Sequence, residues 1–184
     1  AAEIAKDAKP PVAADDLDRG LARITTSKGN LVVWSEPDGE MSLVLAGYEA
    51  KPGELIAGSS AKIIRRTSGR VGAVAAVVAE APGDASDAGN SAANDAGNNA
   101  SDVAIAWASG LGESNGGQLI ALVYASVDLA RVSAPITLGI VKAPIAQQAH
   151  VALAKNPKAG GVVAMHQGPG ASCTLLGHPT ECLT

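Results

Sequence analysis

Apolar residues along this chain occur in short runs separated by turn residues, and the clearest runs lie in the stretch 101–139. The run 102–108 is apolar on both faces of a pleat, with Val103, Ile105 and Trp107 on one face and Ala104 and Ala106 on the other. Gly- and Asn-rich turn residues lead to a second run, 118–126, and Pro135 marks a third strand as a sheet edge. The stretch predicts antiparallel strands joined by hairpins, with a central strand covered on both faces.

The same alternation predicts strands through the rest of the chain. These are 21–26, 31–35, 41–48, 55–57, 162–166 and 173–176. The run 70–80 also fits a buried helix, but Gly72, its valines and the following Pro82 favour a strand, whereas 144–155 fits either. Residues 61–66 either link two units or continue a sheet edge. Because 21 Gly and 10 Pro interrupt most windows long enough for a helix, the pattern predicts an all-β fold.

Three segments resemble one another around Trp34, Trp107 and His166. The first two positions are 73 residues apart and the last two 59 apart. A low-complexity insertion of roughly 20 residues accounts for the longer interval, and intervals of about 40 to 60 residues with several strands each are typical of propeller blades. We therefore predict three units of four-stranded antiparallel blades, 20–64, 65–139 and 140–184.

These units make a partial β-propeller of about two and a half to three blades, which is fewer than the roughly four that a closed ring needs. We expect another polypeptide to complete the sheet or ring, because a half-finished blade exposes unpaired strand edges. An open sandwich is the alternative.

Residues 1–19 combine Ala with charged residues and the pair Pro10-Pro11, which predicts a linker or solvated N-terminal arm. The alternative is an arm that pairs with a sheet edge elsewhere.

The insertion 83–101 contains a near-duplicated octapeptide of Asp, Asn, Ser, Gly and Ala. Such residues bury too little surface to offset ordering entropy, so we expect a mobile surface loop. Its oxygen-bearing side chains also permit a calcium site, although the spacing of a calcium-binding loop is absent. The candidate ligands are Asp84, Asp87, Asp95, Asp102, Asn90, Asn94 and Asn98. Asn99-Ala-Ser101 is an N-glycosylation sequon.

The net charge and the hydropathy of the chain restrict the kinds of partner that we expect it to have. The formal net charge is −4 and the basic residues are scattered, so nucleic acid is not expected as a partner. No apolar run approaches the 18 residues of a membrane span, so we expect no membrane span. A chain that opens on Ala-Ala-Glu without Met fits a mature form trimmed after a signal peptide, so we expect a secreted, periplasmic or cell-surface protein.

The two cysteines, Cys173 and Cys182, lie close together near the end of the chain. In an oxidising compartment they are expected to close a short loop as a disulfide, with Pro179 helping the bend. Buried thiols are one alternative. A metal site with His166 and His178 is another, but the cysteine spacing is not that of a zinc knuckle.

The hairpin 123–138 resembles the strand-turn-strand of sialidase-type repeats in secreted bacterial β-propeller proteins. Ser126 and Asp128 stand where the Asp-box of that family carries its Ser and Asp, whereas the later Gly and Trp of the box are missing. The resemblance implies a rigid disc with binding loops at the strand ends. It transfers no active site.

The residue types needed for catalysis are present but not arranged by any motif. A sialidase-like site needs an arginine cluster, an acidic carboxyl and a Tyr nucleophile, and the sequence offers Arg23, Arg65, Arg66, Arg70, Arg131, Tyr48 and Tyr124 without a pattern that groups them. The possible bases are His150, His166 and His178, for which packing or surface positions are favoured, and no G-x-S-x-G elbow occurs. No catalytic, cofactor-binding or metal-binding residue is predicted.

The sequence thus favours a non-catalytic secreted binding module on a propeller-like scaffold, with a glycan or protein ligand. One alternative is a structural component of a larger extracellular or envelope assembly. Another is a hydrolase subunit whose active site lies mainly on a partner chain.

Overall fold

The computed structural model describes residues 3–12, 20–79, 102–110, 118–141, 150–155, 162–167, 174–175 and 178–179. Every regular element in these residues is a β-strand and every pairing is antiparallel, which confirms the all-β prediction. No helix long and apolar enough to cross a membrane occurs in this part of the chain.

Fourteen strands form four sheets in the described residues. They are β1 (Glu3–Ala5), β2 (Leu21–Thr26), β3 (Gly29–Asp38), β4 (Met41–Lys51), β5 (Glu54–Leu55), β6 (Ala61–Ser68), β7 (Val71–Ala79), β8 (Asp102–Gly110), β9 (Gln118–Ser126), β10 (Ile136–Val141), β11 (His150–Lys155), β12 (Val162–Gln167), β13 (Thr174–Leu175) and β14 (His178–Pro179). Sheet A has the order β1-β6-β4-β3-β2, with β5 also paired to β4. Sheet B has the order β10-β9-β8-β7, sheet C pairs β11 with β12, and sheet D pairs β13 with β14.

Sheets A and B pack face to face across the largest core cluster. The face of each sheet that points toward the next sheet along the chain is called its front face. The opposite face is called its rear face. The front face of sheet A contributes Leu31, Val33, Val44, Ala46 and Ile64. The rear face of sheet B contributes Val71, Val74, Val103, Ile105, Trp107, Ala121, Val123 and Ala125. Alternating apolar residues on both sheets thus bury a shared layer.

The front face of sheet B is also covered, because β11 lays Val151 and Leu153 against Ala79, Ala104, Ala106 and Leu122. The two faces of β8 are therefore both buried, as its residues predict. Small alanines on this side allow sheet C to approach closely.

The first strands of successive sheets are neighbours. Strand β2 contacts β7, and β7 contacts β11. Where β2 begins, a Cβ on Gly20 would lie 2.7 Å from the backbone nitrogen of Val74, so only glycine permits this approach of the chain to β7. The sheets thus follow one another in chain order with their first strands side by side.

The rear face of sheet A is covered by residues 3–12, which we call the strap. Its first residues form β1 and pair with β6, and it then crosses the sheet toward β2. Beneath it, Val32, Trp34, Leu45 and Ala61 are all 0% exposed. This part of the N-terminal segment is packed on the sheet and is not a solvated tail.

Several local predictions are refined by the structure. The run 70–80, which also fitted a helix, forms β7, and His150–Lys155 forms β11. The fourth long strand of sheet A is β6, which continues past residue 64, the predicted end of the first unit. The predicted strand 55–57 is reduced to the two residues of β5.

Candidate binding groove

A groove of about 250 Å³ opens on the rear face of sheet A beside the strap. It is lined by Arg23, Ile24, Thr25, Asn30, Glu49, Lys51 and Pro52. These residues come from β2, β3, β4 and the turn that follows β4.

Strand register builds the floor of the groove. Thr25 pairs with Asn30 across the β2–β3 hairpin, and Asn30 pairs with Glu49 across β3 and β4. Directly opposed residues of antiparallel strands share one face, so three polar side chains form a row across three strands. The Thr25 hydroxyl donates to Asn30 Oδ1 at 3.3 Å.

An ion pair between the exposed Arg23 and the buried carboxylate of Glu49 forms one wall of the groove. Arg23 donates from Nε to Glu49 Oε2 at 2.8 Å and from Nη2 to Oε1 at 3.1 Å, while the Gly53 amide donates to Oε1 at 3.0 Å. The Glu49 side chain is only 3% exposed, so these three donors replace the water that the carboxylate loses. Arg23 also donates from Nη2 to the Pro11 carbonyl at 2.6 Å, which ties the strap to this wall.

The charges around the groove are balanced. Lys51 Nζ lies 2.8 Å from Glu54 Oε2, and this hydrogen bond raises the pKa of Lys51. Since Arg23 is paired with Glu49, each cation here has a carboxylate partner. Pro52 adds apolar surface, whereas the side chain of Ile24 packs into the shared core on the other face of the sheet. The groove thus offers hydrogen-bonding groups and apolar contact without a strong net charge.

The β9–β10 turn, which carries the Asp-box-like residues, is held by local hydrogen bonds. Asp128 Oδ1 accepts from Ser126 Oγ at 2.5 Å and from the Ala130 amide at 3.0 Å. The Ser126 hydrogen bond is the main reason that the pKa of Asp128 is lowered, with the Ala130 amide next. Leu129 has a positive φ of 57° and its side chain is buried in the shared core. The structure brings Ser126 and Asp128 together, in a turn-stabilising role.

Tyr48 connects this turn to sheet A. Its hydroxyl donates to the Val127 carbonyl at 2.5 Å and lies 3.3 Å from Thr26 Oγ1. Burial is the largest cause of the raised pKa of Tyr48, and the charge of Asp128 adds to it. The contact joins sheets A and B, which also meet through apolar side chains and through the Thr67–Ser109 and Ser35–Val71 hydrogen bonds.

The arginines and tyrosines considered for sialidase-like chemistry lie on separate surfaces. Arg23 lines the groove, whereas Arg66 pairs with Glu3 and Asp38 at the outer edge of sheet A. Tyr124 packs on the front face of sheet B. They do not assemble into one site.

The histidines are spread over sheets C and D. His150 begins β11, His166 is the cross-strand partner of Val151, and His178 begins β14. Within the described ranges, no group of three or more His, Cys, Asp or Glu side chains is placed to hold a metal ion.

Several predicted sites fall outside the described residues. These are Cys173, Cys182, Asn99, the insertion 83–101 and every calcium candidate except Asp102. The disulfide, the glycosylation and the calcium site therefore stay predictions.

Sequence reasoning missed the groove because its residues are separated along the chain and follow no motif. The available signal was the predicted hairpin 21–35, which places Thr25 opposite Asn30, but the position of Glu49 depends on the register of the next hairpin.

The chain matches no protein-family model, no curated protein sequence and no solved structure. Function has to be inferred from the groove and the sheet stack.

Proposed function

We propose that this protein is a non-catalytic binding module built on a partial β-propeller, and that the groove on sheet A binds an uncharged oligosaccharide. The observation that carries the proposal is the stack itself. Sheets A, B and C follow one another in chain order, and their first strands β2, β7 and β11 are neighbours. Propellers place antiparallel sheets in this way around a central axis, with ligands at the strand ends and between the blades.

The two tryptophans support the same arrangement. Trp34 lies on the rear face of sheet A and Trp107 on the rear face of sheet B, each in the second long strand of its sheet. Repeated blades would place a tryptophan at equivalent positions, as these two are, and this favours a propeller over an unrelated sandwich.

The chemistry of the groove favours an uncharged polar ligand. The Asn30 amide and the Thr25 hydroxyl offer both donors and acceptors, and the guanidinium of Arg23 is fixed by a buried carboxylate. Sugar hydroxyls need such paired donors and acceptors, and the carbon-bound face of a sugar ring fits the apolar surface of Pro52.

The test is an oligosaccharide array probed with the full chain, followed by titration calorimetry on any sugar that binds. Thr25→Ala combined with Asn30→Ala removes two hydrogen-bonding groups, which predicts at least about tenfold weaker binding, since each bond contributes about 1 kcal/mol. Ser68→Ala, an exposed hydroxyl on β6, is the matched control and leaves affinity unchanged. Array-wide absence of binding, or equal affinity of the double variant, would show that the groove is not a sugar site.

A further inference from the structure

The guanidinium of Arg23 has more N–H donors than the protein uses. Its Nε donates to Glu49, and its Nη2 donates to both Glu49 and the Pro11 carbonyl. Among the residues that the structure describes, neither N–H group of Nη1 has an acceptor. The Arg23 side chain is 30% exposed and lines the groove. Because its other N–H groups hold the guanidinium in place, Nη1 offers a ligand two charged donors in a fixed position.

Asn30 adds a second pair of unused donors. Its Oδ1 accepts from the Thr25 hydroxyl at 3.3 Å, and the two N–H groups of Nδ2 have no acceptor in the described part of the chain. Thr25 Oγ1 gives its proton to Asn30 and keeps its own lone pairs for a donor. Since Thr25 pairs with Asn30, Arg23 is the diagonal neighbour of Asn30, about 7 to 8 Å away between backbones. One acceptor atom on a ligand can therefore receive hydrogen bonds from both side chains.

These donors select the chemical group that a ligand must present. An excess of N–H groups requires an acceptor oxygen with two lone pairs, which a carbonyl has. A carboxylate would add a net charge where Glu49, Lys51 and Glu54 already belong to balanced ion pairs. An acetamido group instead supplies a neutral carbonyl, an N–H for Thr25 Oγ1 and a methyl group for the apolar surface of Pro52. A sugar hydroxyl lacks both the carbonyl and the methyl group.

We propose that the groove recognises the N-acetyl group of an amino sugar, whose carbonyl oxygen accepts from Arg23 Nη1 and Asn30 Nδ2. The inference rests on the proposed sugar-binding function and narrows the ligand class to oligosaccharides that contain N-acetylated hexosamines. The groove, at about 250 Å³, is smaller than the roughly 300 to 1,000 Å³ of typical small-molecule pockets, so one acetylated ring enters it. Specificity follows because a sugar without the carbonyl leaves these donors unpaired when it displaces their water.

The experiment compares matched pairs of neutral oligosaccharides that differ only by an acetamido group or a hydroxyl at C2, in the gluco and galacto series. Titration calorimetry with the full chain should show the acetylated member binding at least about tenfold more tightly, because hydrogen bonds from a charged donor are the stronger ones. Asn30→Asp replaces the two free N–H groups by an acceptor of the same size and should remove most of this preference. Ser68→Asp adds the same charge at an exposed position of β6 and should leave it unchanged.

Equal affinity within each pair would overturn this inference and leave the groove a sugar site, whereas no binding by any oligosaccharide would overturn the proposed function as well. A glucuronate-containing oligosaccharide that binds more tightly than the acetylated one would show that Arg23 recognises a negative charge, which also refutes the acetamido assignment. A preference that survives Asn30→Asp refutes the assignment too. If that variant does not fold, Arg23→Lys decides, because it keeps a cation beside Glu49 but removes Nη1, and it should lose the preference.

Discussion

At the scale of single residues, Tyr48 shows how one hydroxyl joins two apolar layers. It reaches the Val127 carbonyl in the β9–β10 turn from β4 of sheet A, and its ring packs on the edge of the shared core. Tyr48→Phe should lower the free energy of unfolding by about 1 to 3 kcal/mol, because the carbonyl loses its donor where water is partly excluded. Tyr124→Phe, on the front face of sheet B, leaves this bond intact and serves as the control in urea denaturation. Equal losses in both variants would contradict the proposed link.

The same residue gives a pH dependence. Burial raises the pKa of Tyr48, so the folded state favours the neutral phenol. That stabilisation is fully present below the ordinary value of about 10 and is lost as the pH rises through the higher folded-state pKa. Wild type should therefore lose stability above about pH 10 more steeply than Tyr48→Phe. Burial also raises the pKa of Tyr124, so the double Phe variant should have the flattest alkaline profile.

At the scale of elements, the connection from sheet A to sheet B depends on Gly69. Its φ is +72°, and a Cβ there would lie 2.2 Å from the Gly110 carbonyl oxygen at the end of β8. Gly69→Ala should cost more than the roughly 1 kcal/mol that a positive φ alone imposes, because the end of β8 must move. Gly39→Ala is the matched control, with a φ of +65° and no atom within 4 Å of the added Cβ. Comparing the thermal unfolding midpoints of the two variants separates the cost of the positive φ, which both share, from the cost of the clash with Gly110, which only Gly69→Ala has.

The same scale shows what the sequence could predict. Local sequence patterns predict strands β7, β8 and β9, because apolar residues lie on both faces of β8 and glycine-rich turns bound the hairpins. The pairing of β1 with β6 joins residues about 60 positions apart, and no local pattern fixes such a register. The polar row of the groove depends on the register of the β3–β4 hairpin, which pairs Asn30 with Glu49, and the strand pattern alone does not fix that register.

At the scale of the whole molecule, the shared layer between sheets A and B predicts that the two sheets unfold together. Neither sheet retains a covered inner face without the other, because Leu31 and Val33 pack against Ile105 and Val123 in one cluster and all four are 0% exposed. Removing either partner would expose this apolar area, at a cost of about 25 cal/mol for each Å². The two sheets should therefore behave as one cooperative unit.

Each sheet carries its own tryptophan reporter for this prediction. Trp107→Phe leaves Trp34 under the strap on sheet A, and Trp34→Phe leaves Trp107 between the sheets. In each variant the fluorescence midpoint in urea should coincide with the far-ultraviolet circular dichroism midpoint, whatever stability the substitution itself removes. An earlier fluorescence transition for Trp34 alone would mean that the strap and sheet A open before the rest. That result would separate the opening of the strap and sheet A from global unfolding and give the free energy of this opening, because local opening is then an equilibrium of its own.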